Sequence, residues 1–106
     1  MATYNGEKHI REQIDSILPQ LNNGDELIIS DDGSTDNTLK IIKTYNSTKI
    51  VLLHHKADRS ASTVHAIVCK NFEHALKHAK GDVIFLSDQD DIWMSNKISK
   101  TLPYFE

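Results

Sequence analysis

Leu27-Ile28-Ile29-Ser30-Asp31-Asp32-Gly33-Ser34 and Val83-Ile84-Phe85-Leu86-Ser87-Asp88-Gln89-Asp90-Asp91 share one plan, an apolar run that ends in carboxylates. A buried strand does not carry unpaired carboxylates, so each cluster marks the place where a strand leaves the core. In an open α/β sheet that place is the crevice at the carboxyl ends of the strands, where ligands bind. Carboxylates gathered there suit a divalent cation, and a cation in such a crevice suits a phosphorylated ligand. The first expectation is a chain that handles a nucleotide or a nucleotide-linked substrate.

Outside these two stretches, helix and strand signals alternate. Ile10, Ile14, Ile17, Leu18 and Leu21 recur at spacings of three and four and predict an amphipathic helix over residues 7–20, which Pro19 can end or kink. Asn22-Asn23-Gly24-Asp25 predicts a turn, and residues 26–30 a strand. Gly33 permits the reversal that follows, Ser34, Thr35 or Asp36 can cap the next helix, and Leu39, Ile41, Ile42 and Tyr45 supply its packing face. Ile50-Val51-Leu52-Leu53 predicts another strand, and the polar stretch from His54 to Thr63 is ambiguous. A longer helix is expected from about Val64 to Lys80, with Val64, Ile67, Val68, Phe72, Ala75, Leu76 and Ala79 inward and Gly81 as its stop. Residues 82–87 predict a strand, and a final helix starts near Ser95 with Ile98 and Leu102 inward. This alternation predicts an α/β fold, a mostly parallel sheet with helices on both faces. Only a remnant of a first strand precedes Asn5-Gly6, so the chain is read as a partial domain.

Composition narrows the field. At 106 residues the chain forms one domain at most. Twelve basic against 15 acidic residues, a net charge of -3, offer no broad cationic face, and nucleic acid is not an expected partner. Cys69 is the only cysteine, which excludes an internal disulfide and a thiolate zinc site; it is expected as a buried small hydrophobe. No stretch approaches the roughly 20 apolar residues of a membrane span, and no signal-peptide pattern is present. The expected setting is cytoplasmic, with room for an attachment at the inner face of the membrane through a longer parent protein.

The acidic clusters carry the chemistry. Asp88, Asp90 and Asp91 repel one another unless a cation or hydrogen bonds compensate. In an extended segment Asp88 and Asp90 share a face while Gln89 points away, giving Mn²⁺ or Mg²⁺ hard oxygen ligands and leaving positions for diphosphate oxygens. The alternative is a solvated acidic turn that caps the final helix. Asp31 and Asp32 can bind metal, accept from a base N–H or a ribose hydroxyl, or serve as a turn and cap. Thr3, Tyr4 and Asn5 fall on the same sheet edge, where Tyr4 can stack on a base or simply pack. Trp93 reads as an anchor for the loop after the second cluster. Lys56 and Arg59 read as solvated loop residues, and the six histidines form no convincing ligand arrangement.

Taken in order, Thr3-Tyr4-Asn5-Gly6, Asp31-Asp32-Gly33-Ser34-Thr35-Asp36-Asn37-Thr38, Asn71-Phe72 and Phe85-Leu86-Ser87-Asp88-Gln89-Asp90-Asp91-Ile92-Trp93 resemble the family 2 glycosyltransferases with the GT-A fold. The nearest flavour is the bacterial rhamnosyltransferase-like branch that builds cell-surface polysaccharides. The resemblance spans nearly the whole chain and implies a Rossmann-like nucleotide-sugar-binding half. It assigns Thr3, Tyr4, Asn5, Asp31 or Asp32, and Asp88 to a UDP- or dTDP-type donor. Its Asp-x-Asp motif falls on Asp88 and Asp90, with Asp90 foremost as ligand of Mn²⁺ or Mg²⁺. The implied reaction is displacement of the nucleotide diphosphate by a hydroxyl of a glycan or lipid-linked acceptor, with inversion, the metal neutralising the leaving diphosphate. The family's general base lies downstream of this motif and is expected beyond Glu106, so no catalytic residue is nominated and the isolated segment is expected to be inactive. The truncated first strand suggests self-association through exposed sheet edges. The family's glycine-containing loop before the Asn-Phe helix is replaced here by a His54–Thr63 stretch with no glycine. Three rival readings remain: an Mg²⁺-dependent phospho-accepting receiver domain, a hydrolase with Asp88 as nucleophile, and a non-catalytic binding or assembly fragment.

Overall fold

The computed structural model describes residues 1–57, 59–60 and 63–105. Asp58, Ala61 and Ser62 of the ambiguous polar stretch, and Glu106, lie outside the described residues. The described elements are β1 (Ala2–Thr3), α1 (Ile10–Ile17), β2 (Leu27–Asp31), α2 (Thr38–Lys43), β3 (Ile50–His54), α3 (Val64–His78) and α4 (Lys97–Thr101), with 3₁₀ turns at Leu18–Gln20 and Leu102–Phe105. β1, β2 and β3 lie side by side in that order, both pairings parallel. Thr3 stands opposite Asp31, and Asp31 opposite His54. The result is a Rossmann-like, mostly parallel sheet with flanking helices and a short first strand.

β2 is buried along its whole length, and strand alternation sends its side chains to two different layers. Leu27 and Ile29 join Ile10, Ile14 and Ile17 of α1 and Ile42 of α2 in the main core, which Trp93 and Met1 complete. Each of these isoleucines contributes about 1.5–3 kcal/mol on burial, so α1 is held by one face of three residues. The helix gives way to a 3₁₀ turn where Pro19, which has no N–H to donate, enters the chain. On the other face of β2, Ser30 donates to the Asn71 side-chain oxygen at 2.7 Å, so α3 packs there.

Three expectations are corrected. Residues 82–87 do not form the expected strand; among the described residues the segment pairs with the sheet only through a parallel bridge between Ala2 and Asp88. β1 has two residues, so the segment before Asp88 finds no described strand to pair with, and Ile84 and Leu86 stay exposed. A cavity of about 450 Å³ lies beside it, lined by Met1, Leu27, Phe72, Leu76, Phe85 and Trp93 among others. In α3 the buried line is Ile67, Asn71 and Ala75, not the purely apolar stripe: Val64 is 79 % exposed, and Val68 and Leu76 are also outside the core. Asn71 takes the central place because its amide is hydrogen-bonded to Ser30. That rotation also puts Cys69 on the surface, where its sulfur lies 3.6 Å from His65 Nε2. Helix limits shift as well: α1 begins at Ile10 after a turn closed on the Gly6 carbonyl, α3 ends at His78, and α4 begins at Lys97. Among the described residues no helix is long and apolar enough to cross a membrane.

Candidate functional site

The turn after β2 is built around Asp31. Its carboxylate is fully buried and accepts from the hydroxyls of Thr3 at 2.7 Å and Ser34 at 2.6 Å and from the Ser34 amide at 2.9 Å. Gly33, at φ +76°, provides the left-handed residue that folds Ser34 back onto that carboxylate. Ser34 Oγ in turn accepts from the Asn5 amide, and Asn5 Oδ1 accepts from the Thr35 amide at 2.8 Å. Asp36 accepts from the Thr38 amide and hydroxyl and from the Glu7 amide. Partial burial raises the Asp36 pKa, but the hydrogen bonds from Thr38 and Glu7 outweigh it and hold the carboxyl below its ordinary range. Thr3, Asn5 and Asp31 therefore spend their polar groups on joining the end of β1 to this turn.

Asp32 is also buried, yet it faces a different set of partners. Oδ1 accepts from the Ala57 amide at 2.7 Å and lies 3.3 Å from His55 Nδ1. Oδ2 accepts from the Arg59 guanidinium at 2.8 Å, and the same nitrogen donates to the Asp32 carbonyl at 2.9 Å. The guanidinium carbon sits 3.8 Å from the centroid of the half-open Tyr4 ring. Arg59 thus ties Tyr4 to Asp32.

The second acidic turn flanks β1 on its other side. Gln89 bonds both main-chain groups of Tyr4: its oxygen accepts from the Tyr4 amide at 2.9 Å and its nitrogen donates to the Tyr4 carbonyl at 3.1 Å. Residues 89–90 form a turn, not the extended segment expected, and Gln89 is directed to the Tyr4 main chain. The approach to Asp88 is fixed by Gln13 of α1, which donates to Ser87 Oγ at 2.9 Å. The exit is fixed by Ser16, whose hydroxyl accepts from the Trp93 amide, and by Gln20, which donates to the Met94 carbonyl. Trp93 is buried against Phe85, with 5.7 Å between ring centroids, which makes it the anchor read from the sequence. Asp88, Asp90 and Asp91 remain exposed, and their carboxylates hold no hydrogen bond or ion pair among the described residues.

Both acidic turns thus meet the carboxyl end of β1, and the order of parts is second cluster, β1, first cluster. The family model for glycosyl transferase family 2 matches residues 1–106. The chain belongs to glycosyl transferase family 2. Among relatives of this family 2 chain, the dTDP-rhamnosyl transferase RfbG of Shigella flexneri is 37% identical over 107 residues, covering 96% of this chain and 35% of RfbG. The UDP-Glc:alpha-D-GlcNAc-diphosphoundecaprenol beta-1,3-glucosyltransferase WfaP of Escherichia coli is 35% identical over 106 residues, covering 100% of this chain and 39% of WfaP. The crystal structure of S. aureus TarS 1-349 superposes with a TM-score of 0.74 at 26% identity, over 98% of this chain and 30% of that one. The chain thus spans well under half the length of these relatives. Its short-first-strand sheet has the GT-A core topology, and the receiver-domain and hydrolase readings are set aside.

Within this family 2 domain the two acidic clusters differ in what they have left to offer. Asp31 and Asp32 are consumed by protein donors, whereas the exposed Asp88 and Asp90 carboxylates have no hydrogen bond among the described residues, Asp88 lying within electrostatic reach of the Met1 amine. Two such carboxylates could supply hard oxygen ligands to a divalent cation whose remaining positions are filled by ligand oxygens and water. Three residues of the site escaped the reading of the sequence. Arg59 was placed in a solvated loop, and Gln89 and Gln13 were given no partner; polar side chains whose partners are far along the chain leave no periodic signal. His55, His74 and His78 also come together, with successive ring centroids 5.1 and 5.0 Å apart. Among the described residues, however, no group of three His, Cys, Asp or Glu is arranged to hold a metal.

Proposed function

We propose that this chain is the donor-binding part of an inverting, rhamnosyltransferase-like glycosyltransferase. The donor is a UDP- or dTDP-linked sugar and the acceptor a hydroxyl of a glycan or lipid-linked saccharide. One observation carries the reading: Tyr4 touches both acidic turns, its backbone through Gln89 and its ring through the Arg59 that pairs with Asp32. A ligand seated at Tyr4 therefore meets a carboxylate suited to a base N–H on one side and free carboxylates suited to a cation on the other. Thr3, Asn5 and Asp31 serve this site by fixing the β1 and β2 loops, and Gln89 by holding the acidic turn against Tyr4.

Asp90, with Asp88, would hold Mn²⁺ or Mg²⁺, which supplies positive charge to a departing diphosphate. The chain's own part is to position the base and ribose end at Tyr4 and Asp32 while Gln13, Ser16 and Gln20 keep the acidic turn in register. Preorganisation of this kind is what makes electrostatic help effective. The test is calorimetry of UDP and dTDP with and without Mn²⁺. Binding that requires the metal and weakens at least tenfold in Asp90→Ala is expected. Metal-independent binding that survives Asp90→Ala would refute the proposal.

A further inference from the structure

We propose that Arg59 is a displaceable occupant of the base subsite, a gate that a nucleobase must push aside to bind. The inference rests on the nucleotide-donor reading given above and goes beyond it by naming what holds the subsite closed.

The guanidinium is a flat cation with N–H donors at its edge. Its carbon lies 3.8 Å from the Tyr4 ring centroid, a stacking distance, and one nitrogen donates to Asp32 Oδ2 at 2.8 Å. A face laid on an aromatic ring and an N–H given to a carboxylate are the two contacts that a uracil or thymine imide would make here. Arg59 therefore imitates the base, and a base that takes this face of Tyr4 and this Asp32 oxygen competes with it. The other Asp32 oxygen is bonded to the Ala57 amide, which cannot leave without moving the backbone. The Arg59 side chain is 37% exposed and can swing into solvent about its own rotatable bonds. Among the described residues its hydrogen bonds go to Asp32 alone, and its other contact is the Tyr4 ring.

Competition of this kind lowers the apparent affinity by the fraction of molecules that are open. An ion pair and a cation–π contact, both partly exposed, favour the closed arrangement by roughly five- to thirtyfold. The energetic cost falls on binding, since the base must replace a bond already made.

The experiment compares the wild-type chain with Arg59→Ala and Arg59→Lys. UDP affinity is measured by calorimetry in Mn²⁺, and nitration of Tyr4 by tetranitromethane is followed by peptide mass spectrometry without nucleotide. Arg59→Ala is expected to bind UDP roughly five- to thirtyfold tighter and to nitrate faster at Tyr4. Arg59→Lys keeps a charge for Asp32 but withdraws the plane from the ring, so it should bind about two- to fivefold tighter and carries the test if the alanine variant unfolds. Equal or weaker UDP binding by the variants overturns the gate and leaves the donor reading standing, because Arg59 would then be indifferent or a direct ligand contact. An unchanged nitration rate overturns it as well. Failure of wild type and variants alike to bind UDP overturns the donor reading, and the gate falls with it.

Discussion

Replacing Gly6 by alanine should release the second acidic turn by a single steric event. Gly6 is buried, and its amide donates to Thr38 Oγ1 at 2.8 Å. The three heavy atoms nearest a Cβ built there all belong to the Gln89 side chain, with Cδ at 2.6 Å and Oε1 closer still. Gln89 is flexible and will move, so the clash itself is cheap. What is lost is the pair of bonds between the Gln89 amide and the Tyr4 main chain, each worth about 0.5–1.5 kcal/mol net. At this partly exposed place the sum is about 1–2 kcal/mol. Gly6 is not in the left-handed region, so alanine causes no backbone strain, and by restricting the unfolded chain it returns about 0.4–1 kcal/mol. Urea unfolding of wild type, Gly6→Ala, Gln89→Ala and the double variant tests this as a cycle. Gln89→Ala should cost about 1–2 kcal/mol alone. Adding Gly6→Ala to it should cost nothing further or stabilise slightly, giving a coupling of about 1–2 kcal/mol. Additive costs in the double variant would count against this explanation, since the clashing Gln89 atoms would already be gone.

Three further outcomes follow from the same geometry. Asp31→Asn removes the charge that three donors share and should cost about 2–4 kcal/mol in urea; an unchanged midpoint would count against the Asp31 hub. Asn71→Leu strands the Ser30 hydroxyl and should cost about 1–3 kcal/mol, whereas Val64→Ser, on an exposed turn of α3, should stay within about 0.5 kcal/mol. Burial, with help from the hydrogen bond to Asp15, pushes the Tyr45 phenol up to about 12 from 10.0. The folded pKa is the higher one, so this contribution to stability is complete below pH 10.0 and is lost as pH rises through about 12. The stability difference between wild type and Tyr45→Phe should shrink across that window; a difference that holds constant through it would contradict the assignment.

How much of this was legible in the chain depends on how far each cause reaches. The β2–turn–α2 unit was, because the apolar run, Gly33 and Asp36 lie close together in sequence; the cap position itself falls on Asn37, while Asp36 takes the Thr38 amide. So was α1, where three isoleucines at helical spacing are enough. The segment 83–87 has the composition of a strand, but a strand exists only with a neighbour, and the pattern does not reveal that β1 stops at two residues. Asn71 was placed outside the inner line of α3 because periodicity scores it as polar; its reason for burial, Ser30, is 41 residues away. Cys69 was misplaced by the same error of helical phase. The site divides likewise. Asp31, Asp32, Asp88 and Asp90 announce themselves as clusters, and Tyr4 by its place at a strand end. Arg59 is 27 residues from Asp32, and Gln89 is 85 from Tyr4, so both became visible only once the chain was folded.

In the proposed function the turns around Asp32 and Asp90 face a single cation-dependent nucleotide site at the end of β1. Paramagnetic broadening by Mn²⁺ tests it most directly: amide resonances are recorded for the UDP complex with Mg²⁺ and again with a trace of Mn²⁺. Strong broadening is expected at 88–91 and, in the same titration, at Tyr4 and Asp32, while the Asn22–Asp25 turn stays sharp. Broadening that is confined to one acidic turn, or that spares Tyr4, would contradict it.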